Sequence, residues 1–109
     1  MATKEEVLEY VRRNGKYMKF NSRDGRILSG IGIRRLDVVR FFRKRGHCDI
    51  TTLIKKMIIN HFLYYRVFDG DEYIILPTNL LRWLEKKGVD KFTDLVNWKK
   101  LGREPVGDL

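Results

Sequence analysis

Residues 33–62 read IRRLDVVRFFRKRGHCDITTLIKKMIINHF, and the fold turns on how this stretch divides. Taken at about 100° per residue, Leu36, Val38, Val39 and Phe42 fall on one side of a helix, with Arg35 among them and able to extend its charge outward. Asp37, Arg40 and Lys44 lie opposite, and Phe41 sits on a flank between Arg34 and Arg45. This pattern predicts a helix over residues 33–45 that stops at Gly46. The three residues His47, Cys48 and Asp49 then break the pattern, and Asp49 is a suitable N-cap for a second helix. A second apolar stripe, Ile50, Leu53, Ile54, Met57, Ile58 and Phe62, predicts that helix over residues 50–62. Thr51, Thr52, Lys55 and Lys56 are left on its outward side near the N-terminus, and Ile59 interrupts that polar face.

Working outward, the flanks read as hairpins and helices. Before the pair, Thr3 and Glu6 have the spacing of a capping box, and Val7, Leu8 and Val11 give a buried stripe that Asn14-Gly15 ends. KYMKF and RILSG flank the turn-rich NSRDG, a hairpin with Arg23 and Arg26 near its tip, and Gly30 and Gly32 break the pattern before Ile33. After the pair, LYYRVF and YIILP flank DGDE, where Asp-Gly between two β-rich runs marks a tight hairpin closed by Pro77. Thr78 or Asn79 caps a helix carrying Leu80, Leu81 and Leu84 and ended by Gly88. A short last helix runs through Phe92, Leu95 and Val96. The reading is one α+β domain over residues 1–101 with a tail over 102–109.

Charge is the informative total. The 109 residues carry a formal net charge of +9. Residues 12–45 alone hold twelve Lys and Arg against two acids, Asp24 and Asp37. A basic excess gathered in one stretch points to a polyanionic partner, because Lys and Arg that contact phosphates release condensed counterions. Cys48 is the single cysteine, so no internal disulfide framework exists and a reducing compartment is expected. No apolar run is long enough to span a bilayer, and the N-terminus carries acids where a signal peptide needs cations. A cytoplasmic or nucleoid-associated protein without a membrane partner is expected.

The order helix, basic hairpin, helix, three-residue turn, helix, hairpin, helix is similar to a winged helix-turn-helix. The supporting helix would be RRLDVVRFFRKRG, the turn HCD, the recognition helix ITTLIKKMIINHFL, and the wing LYYRVFDGDEYIIL. The resemblance rests on element order and apolar spacing over residues 3–76; the hairpin at 16–29 and the C-terminal helices are additions to it. It implies a major-groove contact by Thr51, Thr52, Lys55 and Lys56, and a backbone grip by Arg34, Arg40, Arg43, Lys44 and Arg45. Three acids at the wing tip, Asp69, Asp71 and Glu72, would repel phosphate. Arg23 and Arg26 are therefore expected to take over that contact. Duplex DNA is the favoured partner, and a small transcriptional regulator or architectural factor the expected role.

Other chemistries fit less well. His47, Cys48 and His61 lack the spacing of a metal site, and SGIGIRR lacks the P-loop signature. Asp69, Asp71 and Glu72 are explained by a two-residue turn without metal-dependent cleavage. No enzymatic activity and no cofactor are expected. A winged-helix adaptor docking on another protein is the alternative, favoured by the acidic wing and Ile59. RNA or single-strand binding is a further one, with Phe41 as the stacking ring. Trp83 and Trp98, on the last two helices, serve either the core or a homodimer surface.

Overall fold

Two hairpins build one sheet, and the helices between and before them cover one of its faces. The computed structural model describes residues 1–22 and 24–87. The chain runs α1 (Lys4–Asn14), β1 (Lys16–Asn21), β2 (Ile27–Arg34), α2 (Arg35–Lys44), α3 (Ile50–Ile59), β3 (Tyr64–Phe68), β4 (Asp71–Pro77) and α4 (Thr78–Lys87). The described residues thus form an α+β unit of four helices and a four-stranded antiparallel sheet. Strand order is β1-β2-β4-β3, so the two hairpins join edge to edge through β2 and β4. Arg23, the Trp83 side chain, the expected helix around Phe92 and Trp98, and the tail over 102–109 lie outside the described residues.

Alternation along the strands sorts the core into two clusters. In β4, Ile74 and Leu76 turn toward the helices, where Val7, Leu8 and Val11 of α1 meet Val38, Val39 and Phe42 of α2 and Ile50, Ile54 and Met57 of α3. Leu80 of α4 joins the same cluster. Ile75 faces the other way and packs with Phe20 and Leu28. Each fully buried aliphatic side chain here contributes about 1.5–3 kcal/mol, and that burial holds short helices that would not persist alone.

Several local expectations hold in detail. The Thr3 hydroxyl accepts from Glu6 N at 3.2 Å while the Glu6 carboxylate accepts from Thr3 N at 2.9 Å, completing the capping box. Asp69 and Gly70 both have positive φ, 51° and 83°, as a tight Asp-Gly hairpin turn demands.

Others shift. β2 runs straight through Gly30 and Gly32 to Arg34, so α2 begins at Arg35 instead of Ile33. These glycines are there for space. A Cβ on Gly30 would strike the Leu76 carbonyl oxygen, and one on Gly32 the Met18 sulfur. α3 ends at Ile59, because His61 takes a left-handed φ of 63°. Phe62 is nonetheless buried, carried back to the core by the turn. Leu36 is 48% exposed instead of packed, while Arg35 takes the inner position beside Glu72. Asp49 precedes α3 but makes no side-chain capping bond. α4 starts directly at Thr78, whose hydroxyl shares a hydrogen bond with Ser29 of β2 at 2.8 Å.

Candidate functional site

The register of β1 against β2 leaves a gap. β1 begins at Lys16 opposite Gly32, but β2 continues through Ile33 and Arg34, which pair only with Ile74 and Tyr73 of β4. On the unpaired side the chain turns at Gly15 out of α1, while α2 departs from Arg35. A groove of about 850 Å³ opens between them. Five cations line it, Lys16, Arg34, Arg40, Lys44 and Arg45, with Asp37 as the one carboxylate. Tyr10, Tyr17, Phe41 and Tyr73 supply its aromatic surface.

The cations are in different states. Arg34 donates from Nε and Nη2 to the two Asp37 oxygens, each at 3.2 Å. That forked pair pushes the Arg34 pKa further up and cancels part of its field. Arg45 lies with its guanidinium carbon 3.6 Å from the Phe41 ring centroid and donates to the Phe41 carbonyl at 3.2 Å. Tyr10 sits 4.1 Å from the same ring, so half-buried Phe41 is already engaged on its π surface. Lys16, Arg40 and Lys44 are exposed and make no ion pair among the described residues. Arg40 and Lys44 stand one helical turn apart, about 6 Å along the axis.

α3 forms a second surface. Thr52, Lys55, Lys56 and Ile59 make up its solvent face, and Ile59 is 72% exposed, covered by none of the described residues. Thr51 is half-buried and accepts from Arg43 Nη2 at 3.3 Å. Beside it a cleft of about 420 Å³ is shared by Lys55, Ile58, Tyr65, Arg35 and Glu72. Here Arg35 pairs with Glu72 at 3.0 Å, and the Tyr65 hydroxyl donates to Glu72 at 2.6 Å. The Tyr65 bond, and then Arg35, hold the Glu72 carboxyl below its ordinary range, and the same bond raises the Tyr65 phenol. Glu72 is therefore spoken for, while Asp69 and Asp71 are exposed at the hairpin tip and the Asp71 charge adds to the field on Arg34.

The outer arc of α2 joins the two surfaces. On a helical wheel Arg43 lies on the α3 side, followed by Leu36, Arg40 and Lys44, and then Arg34 and Arg45 over the groove. The expected grip residues Arg34, Arg40, Lys44 and Arg45 thus converge, with Arg43 as the link to Thr51. Arg26 does not join them. It pairs with Asp24 at 3.0 Å at the tip of the β1–β2 hairpin, about 17 Å along the strands from the Lys16 end. Sequence reasoning missed Lys16, Tyr10, Tyr17 and Tyr73 as lining residues. Lys16 and Tyr17 follow the break at Gly15, whereas Tyr10 lies within α1 and Tyr73 within β4, where no local signal marks them.

Among the described residues no group of three or more His, Cys, Asp or Glu could hold a metal ion, and no helix is long and apolar enough to cross a membrane. Cys48 is an exposed free thiol in the α2–α3 turn. No family model, no curated protein and no solved structure matches the chain.

Proposed function

We propose that the protein binds nucleic acid, with double-stranded DNA as the partner, through a winged helix-turn-helix-like arrangement in which α2 supports and α3 reads. The observation that carries this reading is the basic arc of Arg43, Arg40 and Lys44 on α2, with Leu36 between the first two, tied by Arg43 to the N-terminal end of α3. Thr52, Lys55 and Lys56 stand exposed there. Unpaired cations on a helix face gain from phosphate contact by counterion release, and threonine and lysine at the start of a recognition helix can discriminate base edges. Arg26, and Arg23 close to it in the sequence, would add a contact separate from the α2 arc, substituting for a wing whose exposed acids repel phosphate. The function served is that of a small transcriptional regulator or architectural factor, with no catalytic step.

The test is duplex binding measured against salt. Affinity should fall steeply as salt rises. Lys55→Ala should change base preference while Lys44→Ala weakens all sequences alike. Loss of both hairpin arginines, Arg23→Ala with Arg26→Ala, should lower duplex affinity. An absence of salt-dependent binding to any nucleic acid sinks the reading.

A protein-docking role is the second reading, supported by Ile59 and by exposed Tyr65 and Val67 on β3. Uniform, weak DNA affinity together with a tight protein partner would decide for it.

A further inference from the structure

Arg45 and Tyr10 already engage the Phe41 ring, and another aromatic at the groove is more exposed. Tyr17, the second residue of edge strand β1, is 63% exposed and lies at the groove mouth. Tyr10, Phe41 and Tyr73 are all half-buried, and each is in ring contact with a neighbour. Lining the same groove are the three cations that have no carboxylate partner among the described residues, Lys16, Arg40 and Lys44. The one carboxylate of the groove, Asp37, is already held by Arg34.

We infer that this groove holds an unpaired nucleic-acid strand, with a base stacked on Tyr17 and its phosphodiesters on Lys16, Arg40 and Lys44. A free aromatic face among unpaired cations is the pairing of chemistries that single strands use: rings accept bases of any sequence, and the cations track the backbone. A duplex cannot satisfy it. Its base faces are stacked inside, so an intact double helix would offer the groove phosphates and leave Tyr17 idle. Arg40 and Lys44 belong both to the outer arc of α2 and to the groove wall. A strand leaving a duplex on the α2–α3 surface therefore continues into the groove, and the favoured substrate is a duplex with a single-stranded extension. This refinement rests on the duplex-binding function proposed for α2 and α3.

The experiment compares fluorescence anisotropy for a blunt duplex, the same duplex with a dT extension of about six nucleotides, and dT alone. The extension should tighten binding roughly tenfold, within what stacking of one base supplies. Tyr17→Thr, which removes the ring but puts a β-branched strand former in its place, should abolish that gain and leave blunt-duplex affinity unchanged. Tyr17→Phe should retain it. An extension that adds nothing, or a gain that survives Tyr17→Thr, overturns the inference. So does full displacement of the extension by the mononucleotide dTMP at low concentration, which would mark a small-ligand pocket. Binding to dT that depends on Tyr17, without binding to blunt duplex, would support the groove and refute the duplex reading instead.

Discussion

Removing Arg40 and Lys44 together isolates the electrostatic part of the proposed interface. Both side chains are exposed, neither is ion-paired among the described residues, and neither packs in the core. Arg40→Ala/Lys44→Ala should therefore leave folding intact. Each phosphate contact contributes about 0.9 to the slope of log affinity against log salt on B-form DNA. Losing two should flatten that slope by about 1.8. From about 50 to 200 mM salt the ratio of unmodified to variant affinity should then shrink by roughly tenfold, because salt already removes what the variant lacks. Arg34→Ala is the internal control. Its guanidinium is forked onto Asp37 at 3.2 Å, so its removal also frees a carboxylate and should alter the slope by less than one contact. The assay is an anisotropy titration of one duplex at several salt concentrations. An unchanged slope in the double variant, or an Arg34→Ala effect as large as that of the double, would refute the assignment of α2 as the phosphate grip.

Three further outcomes concern the stability of the fold. Gly30→Ala should destabilise by about 1–3 kcal/mol in denaturant unfolding, since its Cβ would meet the Leu76 carbonyl oxygen and lie 2.7 Å from Ile75 Cγ2. Thr3→Ala should cost about 1 kcal/mol by removing the α1 cap. The capping box also fixes the sign of a pH effect. Bonds from the Thr3 backbone N–H, and then from its hydroxyl, hold the Glu6 carboxyl below its ordinary 4.5. The stabilisation is thus complete above that value and lost as pH falls through the lowered one. Glu6→Gln should make stability less dependent on pH in that acid window, as read from urea midpoints across it.

Local signals carried much of the fold because their partners lie close in the chain. Thr3 and Glu6 are three residues apart, and Asp69-Gly70 sets its own turn. The buried trios of α1, α2 and α3 repeat at helical spacing. Errors arose where the deciding neighbour is remote. Gly30 and Gly32 read as breakers, yet what makes them glycine is Leu76 on β4 and Met18 on β1. Once strands crowd from both sides, a residue without Cβ extends the sheet, and α2 loses its first two expected residues. Leu36 and Arg35 exchanged roles for a similar reason. Glu72, 37 residues from Arg35, makes the inner position hospitable to a guanidinium and leaves the leucine outside.

The site shows the same division more sharply. Composition was enough to locate a basic segment, and the helical wheel was enough to place Arg40 and Lys44 on its outer arc. Neither could separate working cations from neutralised ones. Arg34 and Arg45 look identical to Arg40 in a charge count, but one is bound to Asp37 and the other lies over Phe41. The same contact, with Tyr10, engages the Phe41 ring. The proposed stacking role falls to Tyr17, a residue whose position depends on β1 starting two residues short of the end of β2. A strand offset of that kind leaves no mark in composition or periodicity. It arises because α1 must return to the core through Val11, and Gly15 must turn tightly against Ile31 for the chain to enter β1. The packing of α1 therefore sets where the groove opens, so a Gly15 substitution should alter single-strand affinity in the anisotropy titration without removing any cation.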